Sequence, residues 1–179
     1  MIHDFSRPDG GLNEYCQNTS VRYSTLDSAL KMVNVGAFLA KVDLSEAYRS
    51  VPINPLCYKL TGLHWTFEGH SSTTFLFDAR LPFGSAMSCR IFQSLSDAVV
   101  RIMARKGFCV CSYIDDFMII ADSKFECESG LACLVEVLET LGFLINWDKV
   151  ALPSQIMTFL GIEINCISRT VALPEEKVK

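Results

Sequence analysis

Two adjacent aspartates lie in the middle of an apolar segment, and this placement is the strongest chemical signal in the sequence. The segment FCVCSYIDDFMIIADS carries Asp115 and Asp116 between residues typical of β-strands. A tight hairpin turn usually contains Gly or Asn, and neither residue stands beside these aspartates. Two carboxylates ~4 Å apart repel each other by roughly 4 kcal/mol at an effective dielectric of about 20. The pair therefore requires a neighbouring cation, a raised pKa or full solvent exposure.

A third carboxylate, Asp43, stands where another apolar strand ends, in the segment AKVDLSEAY. Taken alone, an aspartate at this position is typical of a helix N-cap. Together with Asp115 and Asp116 it has a second interpretation, because a strand end and a hairpin tip can meet across neighbouring strands of one sheet. Three converging carboxylates form a hard oxygen site that suits magnesium or manganese. The spacing thus predicts a divalent-ion site.

Short strands and helices alternate along the chain, without repeats or low-complexity linkers. A capping-box-like STLD at Ser24 predicts the start of a first helix that ends near Gly36. The remaining predicted elements are a strand at 38–44, a hairpin formed by 58–68 and 72–80, helices at about 85–106 and 124–141, and short strands in FLINW, MTFLGIEI and TVAL. This order predicts an α+β fold with an antiparallel sheet and helices on one face.

The composition is that of a globular protein. Of the 179 residues, 50% are hydrophobic and 20% are charged, which excludes an intrinsically disordered chain. No apolar run approaches ~18 residues, so no membrane partner is predicted. The eight cysteines lie mostly in apolar stretches without CxxC or zinc-like spacing. We interpret them as reduced thiols of an intracellular protein, with cytoplasm and nucleus left open.

The charge distribution is uneven, although the net charge is only −4. Residues 84–107 carry four cations and a single acid, whereas residues 122–139 carry five acids and a single lysine. Two predicted helices therefore have opposite signs. One of them could face a polyanion while the other faces solvent, or both could simply be solvated; charge alone leaves this open.

Five segments together resemble a known family. VDLSEAY, LPFGSAMSCRIFQ, YIDD, LGFLINWDKV and FLGIEI have the order and approximate spacing of motifs A to E of reverse transcriptases, over about residues 38–165. In detail the chain is most similar to enzymes of retrotransposons, closest to the tyrosine-recombinase (DIRS-type) elements. The resemblance implies a polymerase palm with partial fingers. The implied divisions are fingers at 1–37, palm at 38–152 with a finger-side hairpin at 59–80, and a primer-grip hairpin with the start of a thumb at 153–179.

The resemblance also implies roles for the aspartates. Asp43 matches motif A, and Asp115 and Asp116 match motif C; in the family these carboxylates hold two Mg²⁺ ions, for which Mn²⁺ is an alternative, during attack of a primer 3′-hydroxyl on the α-phosphate. The backbone carbonyl of Leu44 is expected near the metal that carries the triphosphate. Tyr48 matches the aromatic residue that blocks a ribose 2′-hydroxyl, and its alternative role is that of a half-buried packing residue.

Further matches assign substrate contacts. The nucleotide-facing and primer-facing positions of motifs B and C fall on Phe83, Gly84, Ser85, Gln93 and Tyr113. Lys149 matches the motif D lysine, which is proposed to protonate the leaving pyrophosphate, although alone it would be read as a surface lysine. Leu160 and Gly161 match the primer grip, and their segment also suits a core strand. Arg90 departs from the family, which commonly has a small residue and a proline at this point in motif B.

The implied function is template-directed DNA synthesis from deoxynucleoside triphosphates on a primed RNA or DNA template. Additional fingers, thumb and ribonuclease H segments of a longer polyprotein are the other expected partners, and the 179 residues alone are expected to polymerise poorly. One alternative is a catalytically incomplete remnant that keeps the fold and at most binds nucleic acid. Another is an RNA-dependent RNA polymerase or nucleotide cyclase, against which Tyr48 argues because ribonucleotides need room for the 2′-hydroxyl.

Overall fold

The structure is a computed structural model and describes residues 4–7, 9–16 and 26–174. The predicted capping box at Ser24 lies outside these residues. The chain divides into two compact units, one formed by Met1–Val21 and Glu46–Phe92 and the other by Arg22–Ser45 and Gln93–Lys179. These bounds differ from the predicted fingers and palm divisions, which stay predictions.

Three α-helices and ten β-strands make up the described chain. The helices are α1 (Leu26–Leu30), α2 (Ser88–Arg105) and α3 (Lys124–Thr140). The strands are β1 (Phe38–Ser45), β2 (Gly62–Trp65), β3 (Thr74–Phe77), β4 (Cys109–Tyr113), β5 (Asp116–Ala121), β6 (Leu144–Ile145), β7 (Ala151–Ser154), β8 (Ile156–Phe159), β9 (Ile162–Asn165) and β10 (Thr170–Ala172). The predicted first helix is shorter than expected, because α1 ends at Leu30 and Gly36, where the helix was expected to end, has a φ of +76°.

The larger unit is built on a five-stranded antiparallel sheet in the order β4-β5-β1-β6, with β7 also paired to β1. The register places Asp43 of β1 directly opposite Asp116 of β5. Asp116 in turn pairs with Tyr113 of β4, so only Ile114 and Asp115 form the β4–β5 turn. One end of the central strand pair therefore carries the aspartates of both segments.

Side chains alternate between the two faces of this sheet. Ala40, Val42 and Leu44 of β1 are buried on the face that receives α3. Helix α3 lies close to the sheet at Gly130, where an added Cβ would come within 3.1 Å of Ile119 Cγ2. Its first turn is capped by Ser123, whose hydroxyl accepts the N–H of Glu126.

The opposite face carries Leu39, Lys41 and Asp43 of β1, and it is covered in part by the β8–β9 hairpin. A buried cluster joins the two layers and consists of Ala29, Ala37, Leu39, Cys111, Met118, Ile120, Met157, Phe159, Ile164 and Cys166. This core anchors the aliphatic end of the face, and the aspartates lie at the other end of the same strands.

The smaller unit contains the antiparallel β2–β3 hairpin and several 3₁₀ turns. The buried Asp78 pairs with Arg49, and its backbone N–H and carbonyl both bond the Thr61 hydroxyl. All eight cysteines of the chain are free thiols. In the described part of the chain, no helix has the length and apolarity needed to cross a bilayer.

Candidate active site

The three predicted aspartates lie together in the larger unit. Asp43 and Asp116 are paired across β1 and β5, and Asp115 is the second residue of the hairpin turn that leads into β5. The carbonyl of Asp115 accepts the N–H of Leu44 at 3.1 Å, which ties the turn to the central strand. Asp43 is buried, with 5% of its surface exposed. The sheet thus holds three carboxylates at one end, as the spacing predicts.

The turn that carries Asp115 has an unusual backbone. Its first residue, Ile114, has a φ of +53°, in the left-handed region that β-branched residues avoid. The Ile114 N–H donates to Oε1 of Gln93 at 2.8 Å, and its carbonyl accepts the hydroxyl of Ser96. Both side chains belong to α2. A left-handed isoleucine is thus bonded at both of its backbone polar groups.

Two lysines form ion pairs with two of the three carboxylates. Nζ of Lys41 lies 3.0 Å from Oδ1 of Asp116, and both side chains are less than one-fifth exposed. Nζ of Lys149 lies 3.1 Å from Oδ1 and 3.3 Å from Oδ2 of Asp43, although the Lys149 side chain is 59% exposed. The Asn146 side-chain amide donates to the same Asp43 carboxylate at 3.3 Å. Positive charge therefore reaches the cluster from Lys41, on the same face of β1 as Asp43, and from Lys149, in the 3₁₀ turn after β6.

The surroundings of the cluster raise the pKa of two of the aspartates. Burial raises the pKa of Asp115, and the charge of Asp43 raises it further. Burial likewise raises the pKa of Asp116, against the opposing effect of Lys41. The hydrogen bond to Asp43 and that residue's charge raise the pKa of Lys149, which stays protonated at neutral pH. The site thus holds carboxylates whose charge is costly unless a cation is present.

The carboxylates fit a divalent cation by their chemistry. Oδ1 of Asp116 is buried and accepts no hydrogen bond of acceptable geometry, although the Lys41 ammonium is within ion-pair distance. A buried oxygen with spare acceptor capacity is suited to metal coordination. Within residues 4–7, 9–16 and 26–174, however, no three His, Cys, Asp or Glu side chains form a ready-made metal site. Binding would therefore require the lysine contacts to rearrange.

Tyr48 lies in a small aromatic cluster of the other unit. Its ring centroid is 4.7 Å from that of Phe83 and 5.5 Å from that of Phe92. The Tyr48 hydroxyl contacts the sulfur of Cys89 at 2.9 Å. The side chain is buried, with 7% exposure, and belongs to a 3₁₀ turn, Ala47–Ser50. Two predicted substrate-facing residues, Tyr48 and Phe83, are thus in direct contact.

The loop that precedes α2 is held by Asn13. The Asn13 amide donates to the carbonyl of Gly84 at 2.9 Å, and its oxygen accepts the N–H of Ala86 at 2.8 Å. Gly84 has a φ of +99°, which only glycine adopts without strain. The hydroxyl of Ser85 accepts the N–H of Met87, and Arg90 lies partly exposed in the first turn of α2.

The remaining predicted residues are placed as follows. Leu44 pairs with Ile145 between β1 and β6, and Tyr113 is the last residue of β4. Leu160 and Gly161 form the two-residue β8–β9 turn, with φ values of +50° and +77°. The contacts of these residues with substrate and primer stay predictions.

Three residues of the site were missed at the sequence level. Lys41 had a signal, because it is a charge inside an apolar strand two residues before Asp43 and therefore on the same face. Ser96 also had one, because it follows Gln93 by three residues, and the pair places two polar groups on the buried side of α2. Asn146 had no local signal, since only the pairing of β6 with β1 brings it to Asp43.

Comparison with known proteins bears on the family. The model of the reverse transcriptase (RNA-dependent DNA polymerase) family matches residues 12–164. The chain belongs to this family. It is 30% identical over 138 residues to a Gag-Pol polyprotein of walleye dermal sarcoma virus, covering 76% of this chain and 8% of that protein. It is 25% identical over 133 residues to the Gag-Pol polyprotein of avian reticuloendotheliosis virus, covering 73% of this chain and 12% of the polyprotein.

Solved structures confirm the predicted fold. The foamy viral protease-reverse transcriptase dRH in complex with double-stranded DNA matches with a TM-score of 0.78 at 20% identity, covering 98% of this chain and 28% of that one. The foamy viral protease-reverse transcriptase in complex with an RNA/DNA hybrid matches with a TM-score of 0.69 at 21% identity, covering 88% of this chain and 20% of that one. The α+β polymerase palm is thus confirmed. The chain spans about an eighth or less of the two polyproteins named above.

Proposed function

We propose that this chain is the catalytic core of an RNA-directed DNA polymerase. The observation that carries the proposal is the pairing of Asp43 with Asp116, with Asp115 at the adjoining turn, in a chain of the reverse transcriptase family. The proposed substrates are deoxynucleoside triphosphates and a primed RNA or DNA template. The proposed subclass, a retrotransposon enzyme closest to the DIRS-type elements, rests on the sequence motifs.

Asp43, Asp115 and Asp116 would together hold the divalent ions, Mg²⁺ or Mn²⁺. When bound, these ions would activate the primer 3′-hydroxyl and offset charge on the α-phosphate. Lys41 and Asn146 keep the two strand-borne carboxylates in place through the contacts described above. The protein thereby supplies positioning and electrostatics, which are the main contributions in phosphoryl transfer.

Lys149 is the proposed general acid. Its ammonium is exposed, retains its proton because of Asp43, and sits at the edge of the carboxylate cluster. From there it could donate a proton to the leaving pyrophosphate. Release of Lys149 from Asp43 on metal entry would free it for this role.

Primer extension tests the proposed activity. The chain would be assayed alone and together with the sequence encoded on either side of it, because the named relatives are much longer. Asp43→Asn is expected to abolish extension and to weaken Mn²⁺ binding, measured by electron paramagnetic resonance on the free ion. Unchanged extension by Asp43→Asn would exclude the proposed two-metal role.

Sugar selection tests the role of Tyr48. We predict that Tyr48→Val admits ribonucleotides, because removal of the ring opens space beside the nucleotide C2′. The measurement is the ratio of deoxynucleotide to ribonucleotide incorporation efficiency, which is expected to fall by about 10-fold or more. Cys89→Ala, which removes the Tyr48 hydroxyl contact but keeps the ring, is the control. If Tyr48→Val leaves the ratio of deoxynucleotide to ribonucleotide incorporation unchanged, Tyr48 only packs against its neighbours and does not select the sugar.

A second candidate function is nucleic-acid binding without catalysis. The observation in its favour is that lysines already pair with Asp43 and Asp116, so two of the three negative charges are compensated without metal. This candidate predicts binding of a primed template with no Mn²⁺ binding and no extension in any version of the chain. Mn²⁺ binding that depends on Asp43 would exclude it.

A further inference from the structure

The catalytic hairpin contains a backbone conformation that its own sequence does not favour. With φ of +53° at Ile114 and an aspartate after it, the β4–β5 turn has its left-handed residue at the position where hairpins normally place glycine. Isoleucine in this region is strained, and such residues persist only when the surroundings determine their conformation. Something outside the turn must therefore stabilise it.

Helix α2 supplies that support through two buried side chains. Gln93 accepts the Ile114 N–H at 2.8 Å, and the Ser96 hydroxyl donates to the Ile114 carbonyl. Each of the two side-chain residues is 2% exposed. Their spacing of three residues puts both on one face of the helix, directed at the same residue of the turn.

The orientation of the Gln93 side-chain amide is itself fixed by hydrogen bonds. The side-chain nitrogen of Gln93 donates to Asp97 at 2.8 Å and lies 3.5 Å from the hydroxyl of Ser112 in β4. These donor contacts leave the Gln93 oxygen as the atom that faces Ile114. The Asp115 carbonyl is bonded separately to Leu44. Three backbone polar groups of the turn, the Ile114 N–H and the carbonyls of Ile114 and Asp115, thus have partners outside it.

We propose that Gln93 and Ser96 are positioning residues that lock Ile114 in its left-handed conformation and thereby set the places of Asp115 and Asp116. This inference rests on the proposed function and assigns Gln93 to the hairpin rather than to the nucleotide. The carboxylates directly follow Ile114, so a change of its backbone conformation rotates Asp115 and shifts Asp116 out of register with Asp43.

Amide hydrogen exchange measured by NMR on the chain tests the lock directly. Ser96→Ala is expected to speed exchange at the Ile114 and Asp115 amides by about fivefold or more, because one bond that holds the turn is lost. Ser96→Thr, which keeps the hydroxyl, is expected to restore slow exchange. The matched control is Ser129→Ala on α3, which removes a serine hydroxyl bonded to the Phe125 carbonyl at 2.9 Å and leaves the turn untouched. Equal exchange in Ser96→Ala and Ser129→Ala would overturn the proposal.

A second measurement separates positioning from general packing. Ser96→Ala is expected to weaken Mn²⁺ binding by about 3- to 10-fold, and Ile114→Gly in the same chain is expected to restore it, because glycine adopts the left-handed conformation without support. A helix that merely lost packing would not be rescued by a change in the turn. Failure of Ile114→Gly to restore binding, with the wild-type chain binding Mn²⁺, would overturn the proposal.

The two hypotheses fail in different ways. If the wild-type chain binds no Mn²⁺, the proposed catalytic function fails. The lock is then decided by the exchange rates together with the side-chain carboxyl ¹³C shifts of Asp115 and Asp116, which are expected to move in Ser96→Ala and to return in Ser96→Thr. Unmoved shifts would mean that Ser96 does not position the carboxylates.

Discussion

Two hairpin turns of the larger unit each contain a bulky residue in the left-handed region, and the two turns accommodate it in different ways. The β4–β5 and β8–β9 turns both place a bulky residue at φ near +50°, Ile114 in the first and Leu160 in the second. The second turn continues with Gly161 at φ +77°, a pair of left-handed residues that matches the twist of the strands. The first turn continues with Asp115. The β8–β9 turn is thus encoded locally, whereas the β4–β5 turn depends on a distant helix.

The difference follows from what each turn carries. Position 115 is occupied by a carboxylate that the proposed chemistry needs, so Gly161, the second residue of the β8–β9 turn, has no counterpart in the β4–β5 turn. The bonds from Gln93 and Ser96 compensate for the unfavourable residue at 114. A turn whose residues serve only its shape can be stabilised by its own sequence. A turn whose residues are needed for chemistry requires stabilising contacts from other segments.

The largest effect is expected from removing the charge at the first turn. Asp115→Asn should weaken Mn²⁺ binding by about 100-fold, because a carboxylate ligand is replaced by a neutral amide. Isothermal titration of the folded chain with Mn²⁺ measures this. Asp148→Asn, an exposed aspartate in the 3₁₀ turn Trp147–Lys149, is the control and should change affinity by less than about twofold. Similar Mn²⁺ affinities of Asp115→Asn and Asp148→Asn would show that Asp115 is not a metal ligand, and the β4–β5 turn would then have no chemical role that the β8–β9 turn lacks.

The next effect concerns the cation beside the first turn. Lys41→Met is expected to lower the free energy of unfolding by about 3 kcal/mol at neutral pH, because it leaves the largely buried Asp116 without its partner. Chemical denaturation measures the change. Lys31→Met breaks an exposed pair with Asp27 on α1 and should cost less than about 0.5 kcal/mol. Equal losses would show that the Lys41 pair is no more important than a surface one.

A smaller effect tests the locally encoded turn. Gly161→Val is expected to destabilise the chain by about 2 kcal/mol, because a β-branched residue is strained at φ +77°. Gly62→Val is the control, since an added Cβ at Gly62 meets only the Lys59 carbonyl, at 3.9 Å. Thermal unfolding compares the two variants. If Gly161→Val unfolds at the wild-type temperature, the second turn does not depend on its glycine.

The smallest effect is a pH dependence found only at the first turn. Burial raises the pKa of Asp115, so the folded chain binds this proton more tightly than the unfolded chain does. Stability is therefore lost as pH rises from the unfolded-state pKa, about 3.9, through the raised folded-state pKa. At neutral pH, Asp115→Asn should therefore be slightly more stable than wild type, and the partial solvent exposure of Asp115 keeps this difference small.

Urea denaturation at neutral pH and near pH 3.5 measures this difference. The gap between Asp115→Asn and wild type should narrow at the lower pH, which lies below the unfolded-state pKa of about 3.9, because Asp115 is then mostly protonated in both states. Leu160→Asn, at a turn without an ionisable residue, should show a stability difference that does not vary over this range. A gap of constant size for Asp115→Asn would contradict the assigned cause.

Much of the fold was predictable because its signals are local. The apolar run before Asp43 predicts β1, and the aspartate pair between two apolar runs predicts the β4–β5 hairpin. The ends of α3 follow from Ser123 and from Gly142, with its φ of +81°. Helix α1 was predicted too long, because apolar spacing continues to Val33 while the chain already turns after Leu30.

The contacts of the site were harder to predict because they join distant segments. The side chain of Lys149 reaches Asp43 across 106 residues, and no periodicity indicates that contact. The substrate contact assigned to Gln93 by its motif stays a prediction, and nothing in the sequence indicates that its side-chain oxygen accepts the backbone N–H of Ile114, 21 residues later. Residue types thus indicated candidates for the chemistry, whose roles stay predictions, and only the assembled sheet indicates what holds them in place.

The two cysteines of β4 allow the opening of the β4–β5 hairpin to be followed by chemical labelling. Cys109 is exposed, while Cys111, two residues on, is 3% exposed, and burial raises the pKa of its thiol to about 12. An alkylating reagent attacks the thiolate, so Cys111 reacts only when the strand opens. Mass spectrometry would compare the alkylation rates of Cys109 and Cys111 in the same sample. The rate at Cys111 reports how often the strand opens, and the faster reaction of the exposed Cys109 is the internal standard.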